Sequence, residues 1–272
     1  RISEILNTKP EICDGAQTQE AAAVTRGGIR FEDVSFAYNG IEVLRDIDFE
    51  IPPGRTVAIV GPTGSGKTTL MALLTREYDP TQGRILIDGQ DLRIIPLEQL
   101  RRAIGYVPQD TFIFSESIRE NLRLGRPEAD DAALRRACDT AQFTEALDET
   151  PAGLDTLLGE RGINLSGGQK QRLTLARAIL CDPIVLILDD ALSSVDTHTE
   201  ERILEGLRDV MATRTSIIIS HRVSTVRQAD QILVVDDGRI VERGQHEDLL
   251  SLNGIYAQMH RRQLLEAALE EE

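Results

Sequence analysis

Apolar and polar positions change period several times along the chain, and each change marks an element. Ile2, Ile5 and Leu6 fall at helical spacing, after which the sequence turns polar and rich in Ala, Gln and Thr up to Gly27. Residues 1–27 therefore read as a short helical end followed by a linker. From Ile29 the period drops to two: Ile29, Phe31, Val34 and Phe36 fall near one face, and 43–51 alternates again up to Pro52-Pro53-Gly54. These two runs predict antiparallel strands. A wholly apolar run at 57–60 leads through glycines into a helical pattern from Lys67, the opening unit of a parallel α/β sheet. Further apolar runs at 185–188, 217–219 and 232–235 are separated by helical patterns, so right-handed crossovers between parallel strands are expected. Between 110 and 180 strand signals cease. Residues 128–146, rich in Ala, Leu, Arg and Asp, predict helices, so 110–180 reads as a helical insertion between core segments 28–109 and 181–272. An amphipathic helix over 255–269 runs into Glu270-Glu271-Glu272 and reads as a solvated surface helix.

Composition sharpens this picture at three points. With 272 residues, 41% of them hydrophobic, the chain can bury one large core. Its 30 basic and 45 acidic residues leave a formal charge of -15, which repels a polyphosphate backbone, so no nucleic-acid partner is expected. Cys13, Cys138 and Cys181 show neither metal-ligand nor paired spacing and suit a reducing compartment, where they act as small side chains. No apolar run approaches the roughly 20 residues that span a bilayer, and no signal-peptide h-region opens the sequence. The chain as given is expected to be soluble.

Chemistry concentrates first at Gly61-Pro62-Thr63-Gly64-Ser65-Gly66-Lys67-Thr68-Thr69, which fits G-x-x-x-x-G-K-[ST] between an apolar run and a helix. The glycines let backbone N–H groups turn inward around a phosphate, and the helix N-terminus adds partial positive charge. Lys67 is placed for the β- and γ-phosphates and the Thr68 hydroxyl for magnesium. By composition the bare pattern arises by chance with a probability of about one in a hundred in a chain this long. The apolar run at 184–188 ends in Asp189-Asp190, with Asp189 on the metal side. An apolar strand ending in acids is weak evidence by itself; beside a phosphate loop it completes a Mg2+-ATP site.

Leu165-Ser166-Gly167-Gly168-Gln169, followed by Lys170-Gln171-Arg172, resembles the signature motif of ATP-binding cassette (ABC) proteins, and the resemblance covers nearly the whole chain. It implies a P-loop NTPase fold of the RecA-like kind: a parallel-sheet core, an antiparallel β subdomain and an inserted α-helical subdomain. It implies that Tyr38 stacks on adenine, that Gln109 is the Q-loop glutamine near magnesium, that Ser193-Ser194-Val195-Asp196 is the D-loop and that His221 is the switch histidine. Ser166, Gly167 and Gly168 would form a second anion-binding helix terminus, with Gln169 beside them. In this family two cassettes stack head to tail, so Ser166 and Gly168 would serve the nucleotide held by a partner cassette. Thr156-Leu157-Leu158-Gly159-Glu160-Arg161-Gly162 resembles the segment that exporters set against the coupling helices of their transmembrane domains. Residues 1–12 resemble the end of a last transmembrane helix and its linker, so a longer polypeptide at the cytoplasmic face of a membrane is expected.

One departure stands out. Active members of the family carry Glu after the Walker B Asp, where it polarises the attacking water; here the residue is Asp190. Losing a methylene draws the carboxylate back by about 1.5 Å, and a misplacement of about 1 Å costs on the order of a hundredfold in rate. Unperturbed Asp and Glu have similar acidity, so reach and not basicity is lost. The resemblance is thus to the slow-site subunit of heterodimeric exporters, with a fully active homodimer as the alternative. A soluble cassette acting in DNA repair or translation would carry coiled coils, zinc modules or a second cassette. A small-molecule kinase would leave 165–169 and His221 without a role.

Overall fold

Burial on both faces dictates the centre of the molecule. In a computed structural model, which describes residues 10–162 and 164–270, the apolar runs become a six-stranded sheet in the order β10-β9-β3-β8-β7-β6. Its strands are β3 (Thr56–Val60), β6 (Ile104–Val107), β7 (Val185–Asp189), β8 (Thr215–Ile219), β9 (Gln231–Asp236) and β10 (Arg239–Gly244). Neighbouring strands from β6 to β9 pair in parallel, and β10 closes the edge antiparallel to β9. Alternate residues serve two separate cores: Ala58, Val60, Leu186, Leu188, Ile218, Ile232 and Val234 face one, while Val57, Ile59, Val185, Ile187, Ile217, Ile219, Leu233 and Val235 face the other. Strands sandwiched in this way need apolar residues at every position, which is why their sequences do not alternate.

The second core is closed by a four-stranded sheet in the order β2-β1-β4-β5, made of β1 (Ile29–Tyr38), β2 (Ile41–Ile51), β4 (Gln82–Ile87) and β5 (Gln90–Asp91). Here one face is wet and the period of two survives, with two phase breaks. Ile29, Phe31, Val34 and Phe36 are all buried although Phe31 and Val34 are three apart, because Asp33 takes a positive φ of 48° and the register shifts around it. Asp46, at φ 47°, does the same between Leu44 and Ile47. One extra residue at each bulge returns the following side chains to the core face.

Helix α1 (Lys67–Leu74) follows β3 directly, and α2 (Leu97–Ala103) leads into β6. The stretch after β6 carries α3 (Ile118–Arg123), α4 (Asp131–Thr140), α5 (Thr144–Asp148) and α6 (Gly167–Leu180), joined to the first core through Leu122, Leu134, Phe143, Leu173 and Ala176. Then come α7 (Thr197–Ala212), α8 (Val223–Val226), α9 (His246–Ser251) and α10 (Ile255–Glu270). Cys138 lies in the first core, where burial pushes its thiol up to about 12, so it behaves as an apolar side chain.

The linker expected over 1–27 is tied down over its described part. Asp88 accepts the backbone N–H groups of Thr25, Arg26, Gly27 and Gly28, Gln19 donates to the Ile94 carbonyl, and Ala22 and Val24 are buried. The helical spacing at Ile2, Ile5 and Leu6 and the acidic Glu271-Glu272 end lie outside the described residues. Among the described residues no helix is long and apolar enough to cross a membrane.

Candidate functional site

The phosphate loop joins the C-terminal end of β3 to α1, whose N-cap Gly66 brings no side chain to its first turn. The first N–H groups of a helix have no acceptor within it, so those of Lys67 and Thr68 remain available. Lys67 is buried, and its ammonium donates to the carbonyl oxygens of Gly61 at 2.9 Å and Pro62 at 2.8 Å. Burial lowers the Lys67 pKa from its ordinary 10.5, opposed by the nearby charges of Asp190 and Asp189. Gly61 has a φ of 148°, and a Cβ there would stand 2.0 Å from the Val235 carbonyl oxygen at the end of β9. Gly61→Ala should therefore lower stability by about 2–4 kcal/mol, from backbone strain and displacement of β9. Thermal melting should show it as a drop of about 5–10 °C.

Strand β7 runs beside β8 and delivers two carboxylates at its C-terminal end. Asp189 is buried; its Oδ2 accepts from the Tyr106 hydroxyl at 3.2 Å, while Oδ1 is buried with no hydrogen-bond partner among the described residues. Burial raises the Asp189 pKa, and the hydroxyls of Tyr106 and Thr68 oppose the rise. The proximity to Asp189 and burial together raise the Tyr106 phenol far above its usual value, so it stays a donor. A raised carboxyl destabilises the fold when ionised, and that cost disappears as pH falls through the raised value. Asp189→Asn keeps an acceptor for Tyr106 and removes the charge. The nucleotide-free variant should melt a few °C above the parent at pH 7, and the gap should narrow in acid.

Asp190 is also buried but is held differently. Its backbone N–H donates to the Ile219 carbonyl at 2.9 Å and its φ is 45°. Its Oδ1 accepts from the His221 N–H at 3.2 Å, and its Oδ2 lies 3.2 Å from His221 Nε2. Both carboxylate oxygens are thus held by one residue at the end of β8. Gln109 is exposed just past β6, whose Val107 pairs with Leu188, so it stands at the same sheet end as the two aspartates. Tyr38, at the end of β1, packs edge-on against Phe36 at 4.7 Å and Tyr78 at 5.2 Å between ring centroids, forming an aromatic cluster. Pro62, Thr63, Gly64 and Thr68 are exposed, whereas Ser65 and Thr69 are buried beneath them.

The signature residues occupy a separate place. Ser166 caps α6: its Oγ accepts from the Gln169 N–H at 3.2 Å, while Gln169 Oε1 accepts from the Ser166 N–H at 2.8 Å. The Gln169 side chain is thereby committed to the cap. Gly168 packs so closely on the D-loop that a Cβ would sit 2.9 Å from the Ser194 carbonyl oxygen. No hydrogen bond among the described residues joins Ser166, Gly167, Gly168 or Gln169 to Gly61 through Thr69.

Two participants were not singled out by sequence. Tyr106 sits in β6, a four-residue strand too short to announce itself. Gln171 holds the D-loop through Nε2 to Ser193 Oγ at 2.9 Å and through Oε1 to the Ser194 N–H at 2.9 Å, and only its place just after the signature marked it.

Comparison with known proteins agrees with this geometry. Residues 44–193, more than half of the chain, match the ABC transporter family. The chain is 47% identical over 261 residues to ATP-binding cassette sub-family B member 6 of Xenopus tropicalis, covering 96% of this chain and 31% of that protein. It is 46% identical over 245 residues to the mitochondrial iron-sulfur clusters transporter atm1 of Aspergillus fumigatus, covering 89% and 34%. A probable multidrug resistance ABC transporter ATP-binding/permease protein of Bacillus subtilis is 44% identical over 272 residues, covering 99% and 46%. The structure of a bacterial Atm1-family ABC exporter with ATP bound superposes with a TM-score of 0.93 at 43% identity, covering 97% of this chain and 46% of that one. The chain thus spans less than half the length of these relatives. With the family's motifs in order on the fold of one of its exporters, the chain belongs to the ABC transporter family as a nucleotide-binding domain.

Proposed function

We propose that this domain binds Mg2+-ATP, pairs head to tail with a second cassette around it and drives export across a membrane. The observation that carries the reading is the pairing, among the described residues, of an ammonium bonded only to its own loop's carbonyls with a buried carboxylate oxygen that has no partner. A triphosphate supplies acceptors for Lys67 and the loop amides, and a divalent cation supplies the charge that Asp189 lacks. Thr68, Asp189 and Gln109 would hold magnesium, which when bound neutralises charge on the phosphate oxygens.

Tyr38 offers a π-face to adenine. Asp190 and His221 then serve hydrolysis: the carboxylate faces the attacking water and His221 holds both its oxygens in place. Because Asp190 is one methylene shorter than glutamate, its own site is slow, and the site completed by Ser166, Gly167 and Gly168 in the partner cassette does most of the hydrolysis. This favours a heterodimer. The separation of the signature from its own phosphate loop supports a second subunit in either case. Exposed Phe112, Phe114 and Leu157, on segments joined by Leu158 N–H to Glu116 carbonyl and Ile118 N–H to Thr156 carbonyl bonds, offer an apolar surface for the coupling helices of a transmembrane domain. Residues 1–27 would connect to such a domain on the cytoplasmic side.

Sedimentation of the chain with ATP tests the pairing. The expected result is an ATP-dependent two-cassette particle when a glutamate-bearing cassette is supplied, and little self-association. A stable ATP-bound homodimer would move the assignment to the symmetric alternative, and stimulation of hydrolysis by nucleic acid would remove transport altogether.

A further inference from the structure

The backbone that carries His221 is pinned by a residue far along the sequence. Helix α8 begins at Val223, and its N-cap Arg222 makes no side-chain cap. The cap comes instead from Gln263 on α10, 40 residues further on: Gln263 Oε1 accepts the Val223 N–H at 2.8 Å. The same amide donates through Nε2 to the His221 carbonyl oxygen. One side chain therefore engages both peptide groups that bracket Arg222, using the acceptor oxygen and the donor nitrogen of its carboxamide. From the other side Arg222 reaches the carbonyl oxygens of Val195 at 3.1 Å and Ser193 at 3.3 Å, and pairs with the buried Glu200, which also accepts from Thr225. The His221 N–H and imidazole are left pointing at the two oxygens of Asp190.

Among the described residues, this contact is the last that anchors α10. Tyr256 and Ala257 are buried and Ile255 and Met259 pack on the first core, whereas Leu264, Leu265 and Leu269, beyond Gln263, are exposed.

We propose that Gln263 is a positioning residue for hydrolysis: it fixes the switch backbone so that the imidazole of His221 meets Asp190, and it makes the docking of the C-terminal helix a condition for a competent site. The inference rests on the reading of His221 and Asp190 as hydrolytic groups. Gln263 is neutral and bonds the backbone of His221 and Val223, so its loss acts through geometry, where a shift of about 1 Å costs up to a hundredfold.

The test uses the full chain with Mg2+-ATP, paired with a cassette that supplies an intact signature but has lost its own hydrolytic carboxylate, so that turnover reports the Asp190 site. Gln263→Ala should lower kcat about tenfold while leaving the KM for ATP and the affinity for ATP within about twofold. Gln263→Glu keeps the acceptor for Val223 but sets a carboxylate against the His221 carbonyl, and should not rescue the rate at neutral pH. Arg262→Ala, on the exposed side of α10, should keep it. The imidazole resonances of His221 should move in Gln263→Ala, and a helix lost for structural reasons only would shift kcat, ATP affinity and melting together. Unchanged kcat and unchanged His221 resonances in Gln263→Ala overturn the proposal. A parent chain that binds Mg2+-ATP but in which His221→Ala hydrolyses as fast as the parent removes the reading beneath it instead.

Discussion

Lys67→Ala should bind Mg2+-ATP about 30- to 1000-fold more weakly than the parent while remaining folded. The ammonium now lies 2.9 and 2.8 Å from two neutral carbonyls of its own loop, and bound nucleotide exchanges these for anionic oxygens. Charge-assisted bonds of this kind are worth about 1.5–3 kcal/mol each, so losing one or two, offset by the carbonyl bonds that Lys67 gives up on binding, costs about 2–4 kcal/mol, at about 1.4 kcal/mol per tenfold. The depressed pKa of Lys67 adds a second signature. A buried amine is charged at low pH and loses its proton at a lower pH than an exposed lysine, whereas anionic nucleotide favours the charged form. Affinity should therefore weaken on the alkaline side before the ordinary 10.5 is reached, and Lys67→Ala should lack that step. Calorimetric titration from pH 7 to 10 checks both.

Asp190→Glu should raise single-turnover hydrolysis by up to about a hundredfold, the cost of a misplacement of about 1 Å. Both oxygens of Asp190 are held back by His221, and one more methylene extends the carboxylate by about 1.5 Å. The backbone adds an opposing effect. At φ 45° Asp190 occupies the left-handed region, which short Asp and Asn side chains tolerate better than Glu. The faster variant should therefore be less stable by about 1 kcal/mol, a melting shift of about 2–4 °C. A rate no greater than the parent's sinks the slow-site reading and leaves the homodimer.

That left-handed Asp190 shows where sequence reading stops. The core strands were legible because a strand buried on both faces must be apolar throughout, and 57–60, 185–188, 217–219 and 232–235 satisfy that condition and nothing else. The outer strands β1 and β2 were legible through period two, but the bulges at Asp33 and Asp46 were not, since a positive φ leaves no trace in an apolar pattern. Strands β4, β5, β6 and β10 were not resolved beforehand: β6 has four residues, β5 two, and β10 is an edge strand whose Arg and Glu residues look like loop. Motif order brought Lys67, Asp189, Asp190 and His221 to one sheet end on paper, because parallel topology collects strand C-termini there. Tyr106 and Gln263 escaped for a simpler reason: each acts through one hydrogen-bonding group at long sequence separation, and no local periodicity encodes such a contact.

A triphosphate seated on the loop from Gly61 to Thr69, with its cation at Thr68 and Asp189, is the centre of the proposed mechanism. Titration of the unaltered chain with ATP in the presence of magnesium tests this directly. The expected result is saturable binding at one nucleotide per chain that weakens in Lys67→Ala; absence of saturable binding by the folded chain, or binding indifferent to the loss of Lys67, would contradict it.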